Sequence, residues 1–340
     1  MGGIALVLVG ADATKDLWPL FAGAYVLWLV GLIDDFKGVG YKRKFLIQVL
    51  VAYALVLSGW KLDLTPIPYF GTLGSYEQAV IIIPVLMLWL VGVMNAINIT
   101  DGQDGLAAGI STIAFMALAV IAGAQGQWQL VAFCIVASVA LVSFLVYNWS
   151  PASIFMGDSG SLFLGFLLAA LSLRIAAAST TAWGMIAPCV VLGLPLLDIV
   201  SSMVRRILNN QSPFAADLDH IHHRVVRAAG SVRLGILVLY AVGLLFGGLG
   251  VAVSLTPWPW PVIAIGFALV LCYLMLWRLS YIWIHLNLRP IRRHWPGSRR
   301  IVVAPAELAT RAPAADTQKA ENTPSSPEIL VSLDAKKHVM

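Results

Sequence analysis

Long apolar runs and short polar breaks alternate along almost the whole chain. A helix that crosses a bilayer needs ~20 mostly apolar residues, with a range of about 17–25. Runs of that length lie at approximately 17–33, 45–60, 78–97, 104–124, 128–147, 160–178, 183–204, 232–254 and 259–284. An apolar stretch at 2–10 is too short to cross and reads as a stub or partial helix. The pattern predicts an all-α, polytopic integral membrane protein with about nine spanning helices plus an N-terminal stub.

Composition agrees: 59% of the 340 residues are hydrophobic and 11% charged, with a mean hydropathy of +0.85. Soluble domains are nearer 25% charged. Cys134, Cys189 and Cys272 all lie inside apolar runs, as buried small hydrophobes do, so a disulfide framework is not expected. The first ten residues have no basic segment, and the chain reaches Asp12 too soon for a signal peptide. The break at 61–78 carries Pro66, Pro68, Gly71 and Gly74 and reads as a turn-rich connector, and Thr256–Pro261 as a short turn with interfacial tryptophans. Domain organisation follows: 1–288 is a transmembrane domain, and 289–340 a tail, basic over 289–300 as a headgroup anchor would be and disordered from about 304.

The net charge of +5 does not point to nucleic acid, because the positive residues are segregated. If the segment after the 17–33 run is cytoplasmic, alternation puts 34–44, 98–103, 148–159, 205–231 and everything after 284 on the same side. Those segments, with adjoining span ends, hold 19 of the 22 Lys and Arg; Lys15, Lys61 and Arg174 are the exceptions. This positive-inside bias orients the chain with its C-terminus cytoplasmic. The basic pI is a topology signal first and an attraction for anionic headgroups or phosphates second.

Four cytoplasmic-side stretches carry candidate chemistry. Asp34-Asp35 is followed by Lys37, Lys42, Arg43 and Lys44; adjacent carboxylates repel unless Mg²⁺ or lysines hold them. Asn95-Ala-Ile-Asn98-Ile-Thr-Asp101-Gly-Gln-Asp104-Gly105 breaks an apolar run where each carboxylate would cost roughly 3 kcal/mol in lipid. Its Asn98, Asp101 and Asp104 are spaced to share one face of a helical end, with Gly102 and Gly105 admitting close approach of a ligand. Oxygen donors favour a hard cation such as Mg²⁺. In Met156-Gly-Asp158-Ser159, either polar residue serves as an N-cap, or Asp158 as a metal ligand at a helix N-terminus suited to phosphate. The fourth stretch runs from Arg205-Arg206 through Ser212-Pro213-Phe214 and Asp217 to Asp219-His220-Ile-His222-His223-Arg224. Zinc is disfavoured there, since no cysteine is near and His222 and His223 would diverge on a helix. A His/Arg cluster facing a diphosphate fits better. Together these residues suit phosphoryl transfer from a nucleotide donor to a lipid acceptor.

At these positions the sequence resembles the polyprenyl-phosphate N-acetylhexosamine-1-phosphate transferases. The matching residues are Asp34-Asp35, Asn95-x-x-Asn98-x-x-Asp101-Gly-x-Asp104-Gly, Met156-Gly-Asp158-x-Gly-Ser, Pro195-x-x-Asp198 and His220-Ile-His222-His223. The histidine loop is most similar to the undecaprenyl-phosphate N-acetylglucosaminyl 1-phosphate transferase branch, which serves O-antigen, common antigen or teichoic acid synthesis. The resemblance implies that undecaprenyl phosphate attacks the sugar-side phosphate of a UDP-N-acetylhexosamine and UMP is released, at the bacterial inner membrane. It implies catalytic roles for Asp34, Asp35 and Asp101. Asp158, Asn98 and Asp101 would hold Mg²⁺, with Mn²⁺ an allowed substitute, and Asn95, Asp104, Lys44, His220, His222, His223 and Arg224 would bind substrates. A homodimer is compatible with the family. Members also carry another spanning helix and a basic loop ahead of the Gly2-Gly3 position, so a start upstream of Met1, or a fragment, is expected. Two other classes compete. An intramembrane Mg²⁺-dependent prenyltransferase would leave the histidine loop unused, and an ion-coupled transporter would want mid-span carboxylates, of which Asp198 is the one good candidate.

Overall fold

The computed structural model describes residues 17–60, 62, 72, 74–212 and 219–278. The stub at 2–10, most of the 61–78 connector, Pro213-Phe214, Asp217 and the tail from 289 lie outside the described residues. Eleven helices make up the described part, with no strand among them: α1 (Trp18–Lys37), α2 (Tyr41–Leu57), α3 (Ser75–Thr100), α4 (Leu106–Ala124), α5 (Trp128–Asn148), α6 (Gly157–Ala177), α7 (Ala182–Val191), α8 (Gly193–Leu208), α9 (Ile221–Ala229), α10 (Val232–Leu255) and α11 (Trp260–Arg278).

Seven of these, α1, α3, α4, α5, α6, α10 and α11, are long and apolar enough to cross a membrane. The second expected span is α2, at 17 residues the lower limit of spanning length. The run at 183–204 is not one straight span. It is broken into α7 and α8, which meet at Leu192 with a bend of 73°. Hydropathy reads composition and is blind to such a break.

Helices α4 and α6 form the interior, with Phe115, Leu118, Leu162 and Phe166 fully buried. α6 packs between α1 and α3, while α4 packs against α5 and α10. Large apolar side chains such as Leu88, Val146, Leu244 and Leu269 point outward and are exposed, as a surface solvated by lipid requires. α8 is amphipathic with its polar side inward: Asp198, Ser201 and Ser202 are buried, whereas Val200, Val204, Ile207 and Leu208 face out. Near the opposite end of α6 from its polar start, the Arg174 guanidinium lies 5.7 Å from the ring centroid of buried Trp60, a cation–π contact.

Candidate active site

Asp34 and Asp35 sit in the last turns of α1, and the chain turns at Gly38. Asp34 accepts hydrogen bonds from the Val39 amide and from Lys44 Nζ, the latter at 2.9 Å. Lys44, in the first turn of α2, also pairs with Asp158. Asp158 in turn accepts from Asn98 Nδ2 at 2.7 Å, and the same amide donates to Ser161 Oγ at 2.8 Å. One lysine therefore bridges carboxylates from two helices, and a third helix joins through Asn98.

The start of α6 departs from expectation. Neither Asp158 nor Ser159 caps it; the helix opens at Gly157. Its cap is Asp35, whose Oδ1 and Oδ2 accept from the Asp158 and Ser159 amides at 2.8 and 3.1 Å. The positive end of α6 is thus met by a carboxylate of the same chain, in the place where phosphate was expected. Gly31 makes this possible: a Cβ there would fall on the main chain of Asp158 and Ser159.

Asp101 ends α3 as its C-cap, so the helix stops short of Asp104 and the expected shared face of Asn98, Asp101 and Asp104 does not form. Burial, then the charges of Asp158 and Asp35, push the Asp101 carboxyl up to about 7. Asp104 instead accepts from the Ala152 amide at 3.0 Å and ties down the segment before α6. Asn95 lies deeper, donating to Gln48 Oε1 at 2.6 Å and to the Val91 carbonyl at 2.8 Å, which cross-links α3 to α2. The structure therefore brings Asp34, Asp35, Lys44, Asn98, Asp101 and Asp158 together and gives Asn95 and Asp104 partners outside that cluster.

The histidine stretch docks on the same end of the bundle. His220 is the N-cap residue of α9, and His222 and His223 lie in its first turn. They do not diverge: the rings of His222 and His223 are 4.3 Å apart, and His220 stacks on His222 at 5.4 Å. The cap position swings His220 off the helical path, which lets its ring fold back. Buried Asp198 holds this group, accepting from the Ile221 amide at 2.8 Å, His220 Nδ1 at 3.2 Å and His222 Nδ1 at 2.6 Å. Ser202 Oγ lies 3.0 Å from His220 Nδ1. His223 reaches the α3–α4 turn, its Nδ1 3.0 Å from Gln103 Nε2. Burial, followed by the charges of His222, His220 and Arg227, lowers the His223 pKa, so it is a neutral hydrogen-bonding group at pH 7. His220 and His222 are buried, and only His223 of the three is part-exposed. Arg224 pairs with Asp219, which also accepts from Arg205 at 2.6 Å and Arg227 at 2.5 Å. Burial opposes ionisation of Asp219, but the Arg224 and Arg227 hydrogen bonds and the Arg205 charge hold its pKa below the ordinary value.

Ser202 and Gln103 were not singled out from sequence, while Ser161 and Asp198 entered only through the matching motifs, without an assigned role. Asp198 had one legible signal, a carboxylate inside an apolar run, which needs a partner.

The donor chemistry fits a hard divalent cation, with only oxygen donors and with Asp101 disfavoured as an anion beside other carboxylates. As arranged, no group of three or more His, Cys, Asp or Glu among the described residues is set to hold a metal, and Lys44 supplies the positive charge.

A polytopic helical bundle with clustered carboxylates, a lysine and a buried histidine group at one end defines a membrane-embedded enzyme. Comparison with known proteins is specific. The model of glycosyl transferase family 4 matches residues 17–176. The chain is 38% identical over 254 residues to a probable undecaprenyl-phosphate N-acetylglucosaminyl 1-phosphate transferase of Bacillus subtilis, covering 72% of this chain and 70% of that one. It is 33% identical over 305 residues to a decaprenyl-phosphate N-acetylglucosaminephosphotransferase of Mycobacterium tuberculosis, covering 78% and 75%. With the undecaprenyl-phosphate alpha-N-acetylglucosaminyl 1-phosphate transferase of Escherichia coli K12 the identity is 29% over 238 residues, covering 68% and 64%. The chain belongs to glycosyl transferase family 4, and the prenyltransferase and transporter alternatives fall away.

Proposed function

We propose that the protein transfers N-acetylglucosamine 1-phosphate from UDP-N-acetylglucosamine to undecaprenyl phosphate at the cytoplasmic face of the bacterial inner membrane. A phosphate oxygen of the acceptor bonds to the sugar-side phosphorus of the donor. The bond from that phosphorus to the bridging oxygen breaks, and UMP leaves with the electron pair. The product is a lipid-linked sugar diphosphate, the first intermediate of a cell-surface polysaccharide. The observation that carries this reading is Lys44, an ammonium held between Asp34 and Asp158 at the helix ends and positioned to receive an acceptor phosphate.

Asp158, Asp101 and Asn98 would hold Mg²⁺ or Mn²⁺. Bound there, the cation would neutralise charge that develops on the diphosphate oxygens. Asp35 acts by fixing the start of α6, and with it Asp158, rather than by taking a proton. Asp34 holds Lys44. His223, neutral and part-exposed, is placed to bind the donor, and Arg224 reaches it only by exchanging Asp219 for the diphosphate. The remaining polar candidates, Asn95 and Asp104, support the site from behind.

The test is a panel of UDP-sugars offered to proteoliposomes containing the protein, undecaprenyl phosphate and Mg²⁺. UMP release with UDP-N-acetylglucosamine, and less with the N-acetylgalactosamine and 6-deoxy amino-sugar donors, is expected. A donor order led by another sugar would overturn the assignment of substrate.

A further inference from the structure

Asp198 comes from the α8 half of the broken span, yet every hydrogen-bond partner of its carboxylate among the described residues is 22–24 residues further along: the His220 and His222 rings and the Ile221 amide. It is 4% exposed, and His222 is 3% exposed. A buried carboxylate is costly unless hydrogen bonds meet its lone pairs, and here three donors do so. Because an ionised carboxylate only accepts, the Nδ1 proton of His222 is fixed on the side facing Asp198. That settles the orientation of the ring. Its other nitrogen, Nε2, is buried, has no hydrogen-bond partner among the described residues and is aimed at the α3–α4 turn. A Cβ at Gly102 would stand 3.1 Å from that nitrogen, a tight approach, so the ring lies close against the turn beside Asp101. His223, the next residue, contacts the same turn through Gln103. The histidine segment therefore grips the turn carrying Asp101 at two points, and Asp198 holds the segment.

We propose that Asp198 is a positioning residue for the transfer reaction, orienting His220 and His222 so that His222 Nε2 and His223 are set against the Asp101–Gln103 turn. The proposal rests on the transferase reading above, but its structural half does not. Asn at this position can still accept from the Ile221 amide, yet its amide nitrogen faces His222 as a donor, which drives the imidazole proton to Nε2 and turns the ring's polarity around. A misplacement of catalytic groups by about 1 Å is enough to cost roughly 100-fold in rate.

The experiment uses the full-length protein in proteoliposomes with Asp198→Asn, Asp198→Glu, His222→Gln and the Asp198→Asn/His222→Gln pair. Expected for Asp198→Asn is a fall of roughly 100-fold in kcat with little change in the KM for UDP-N-acetylglucosamine and a Tm near that of the unchanged protein. Partial recovery with Asp198→Glu is expected, and a double variant no slower than the worse single one. Carbethoxylation with diethyl pyrocarbonate, mapped by mass spectrometry, supplies the arm that needs no activity. His220 and His222 should resist in the unchanged protein and become modified in Asp198→Asn, while His223 reacts in both. Unchanged kcat in a destabilised Asp198→Asn, or multiplicative losses in the double variant, would overturn the positioning role. Unchanged labelling of His220 and His222 would overturn it even if the protein transfers no sugar phosphate. If labelling shifts as expected and no UDP-sugar releases UMP, the transferase reading fails and the hold of Asp198 on the histidines stands.

Discussion

Asp101 carries the sharpest conflict between stability and function. Its carboxyl is pushed up to about 7 by burial and by the Asp158 and Asp35 charges, against about 3.9 in an unfolded chain. Between those values the folded protein binds more protons than the unfolded one, so this group makes stability fall as pH rises from about 4 to 7, and the loss is complete above 7. Each unit of such a shift is worth about 1.4 kcal/mol. Asp101→Asn removes the penalty. With divalent cations chelated, its Tm is expected to exceed that of the unchanged protein by several degrees at pH 8, the margin narrowing as pH falls and closing below about pH 4, where Asp101 is neutral in the folded and unfolded chain alike. Equal Tm values at pH 8 would show that Asp101 is ionised without strain. That Asp34, Asp35, Asp101 and Asp158 need partners was legible in the sequence, because charges in an apolar run need a reason. Their partners were not. Lys44 reaches Asp158 across 114 positions, and Asp35 reaches the α6 amides across 123 and 124. Nothing in local spacing records such distances. Asp104, four residues past a helix end that spacing could not locate, went to the Ala152 amide instead of the cluster.

Among the elements, the contact between α1 and α6 does most to build the site. Two features let it form: Gly31, which admits the main chain of α6, and Asp35 one turn later, which caps it. A Cβ at Gly31 would collide with backbone, which cannot swing aside as a side chain can. Gly31→Ala should therefore cost about 1–3 kcal/mol and lower activity as well, because Asp35 would lose its bonds to Asp158 and Ser159. Gly92→Ala, where an added Cβ meets nothing within 4 Å, is the control and should leave both unchanged. Thermal unfolding in detergent and initial rates check both variants. Apolar length alone found every helix of this unit among the described residues except α9, because bilayer thickness imposes it. It did not find the 73° break at Leu192, nor that α8 turns its polar side inward. Both depend on what the neighbouring helices offer.

At the scale of the molecule, alternation of spans and segregation of charge placed four polar stretches on one side, and the structure joins them. The segments at 34–44, 95–101 and 156–161 meet through Lys44, Asn98 and Asp35, and the histidine segment joins through Gln103. Concurrence of all four was readable without coordinates because topology is a counting exercise. The division of labour was not: His220 and His222 looked like ligands for a donor and are buried on Asp198. The central claim is that this assembly transfers a sugar phosphate to a lipid, with Asp158 at its centre. The most direct measurement is mass-spectrometric detection of undecaprenyl-diphosphate N-acetylglucosamine formed from UDP-N-acetylglucosamine in proteoliposomes, for the unchanged protein and Asp158→Asn. The account predicts Mg²⁺-dependent product from the first and a loss of at least about 100-fold in the second, with both inserted at equal level and equal Tm. Full product formation by Asp158→Asn, or none by the unchanged protein with any UDP-N-acetylhexosamine, would contradict it.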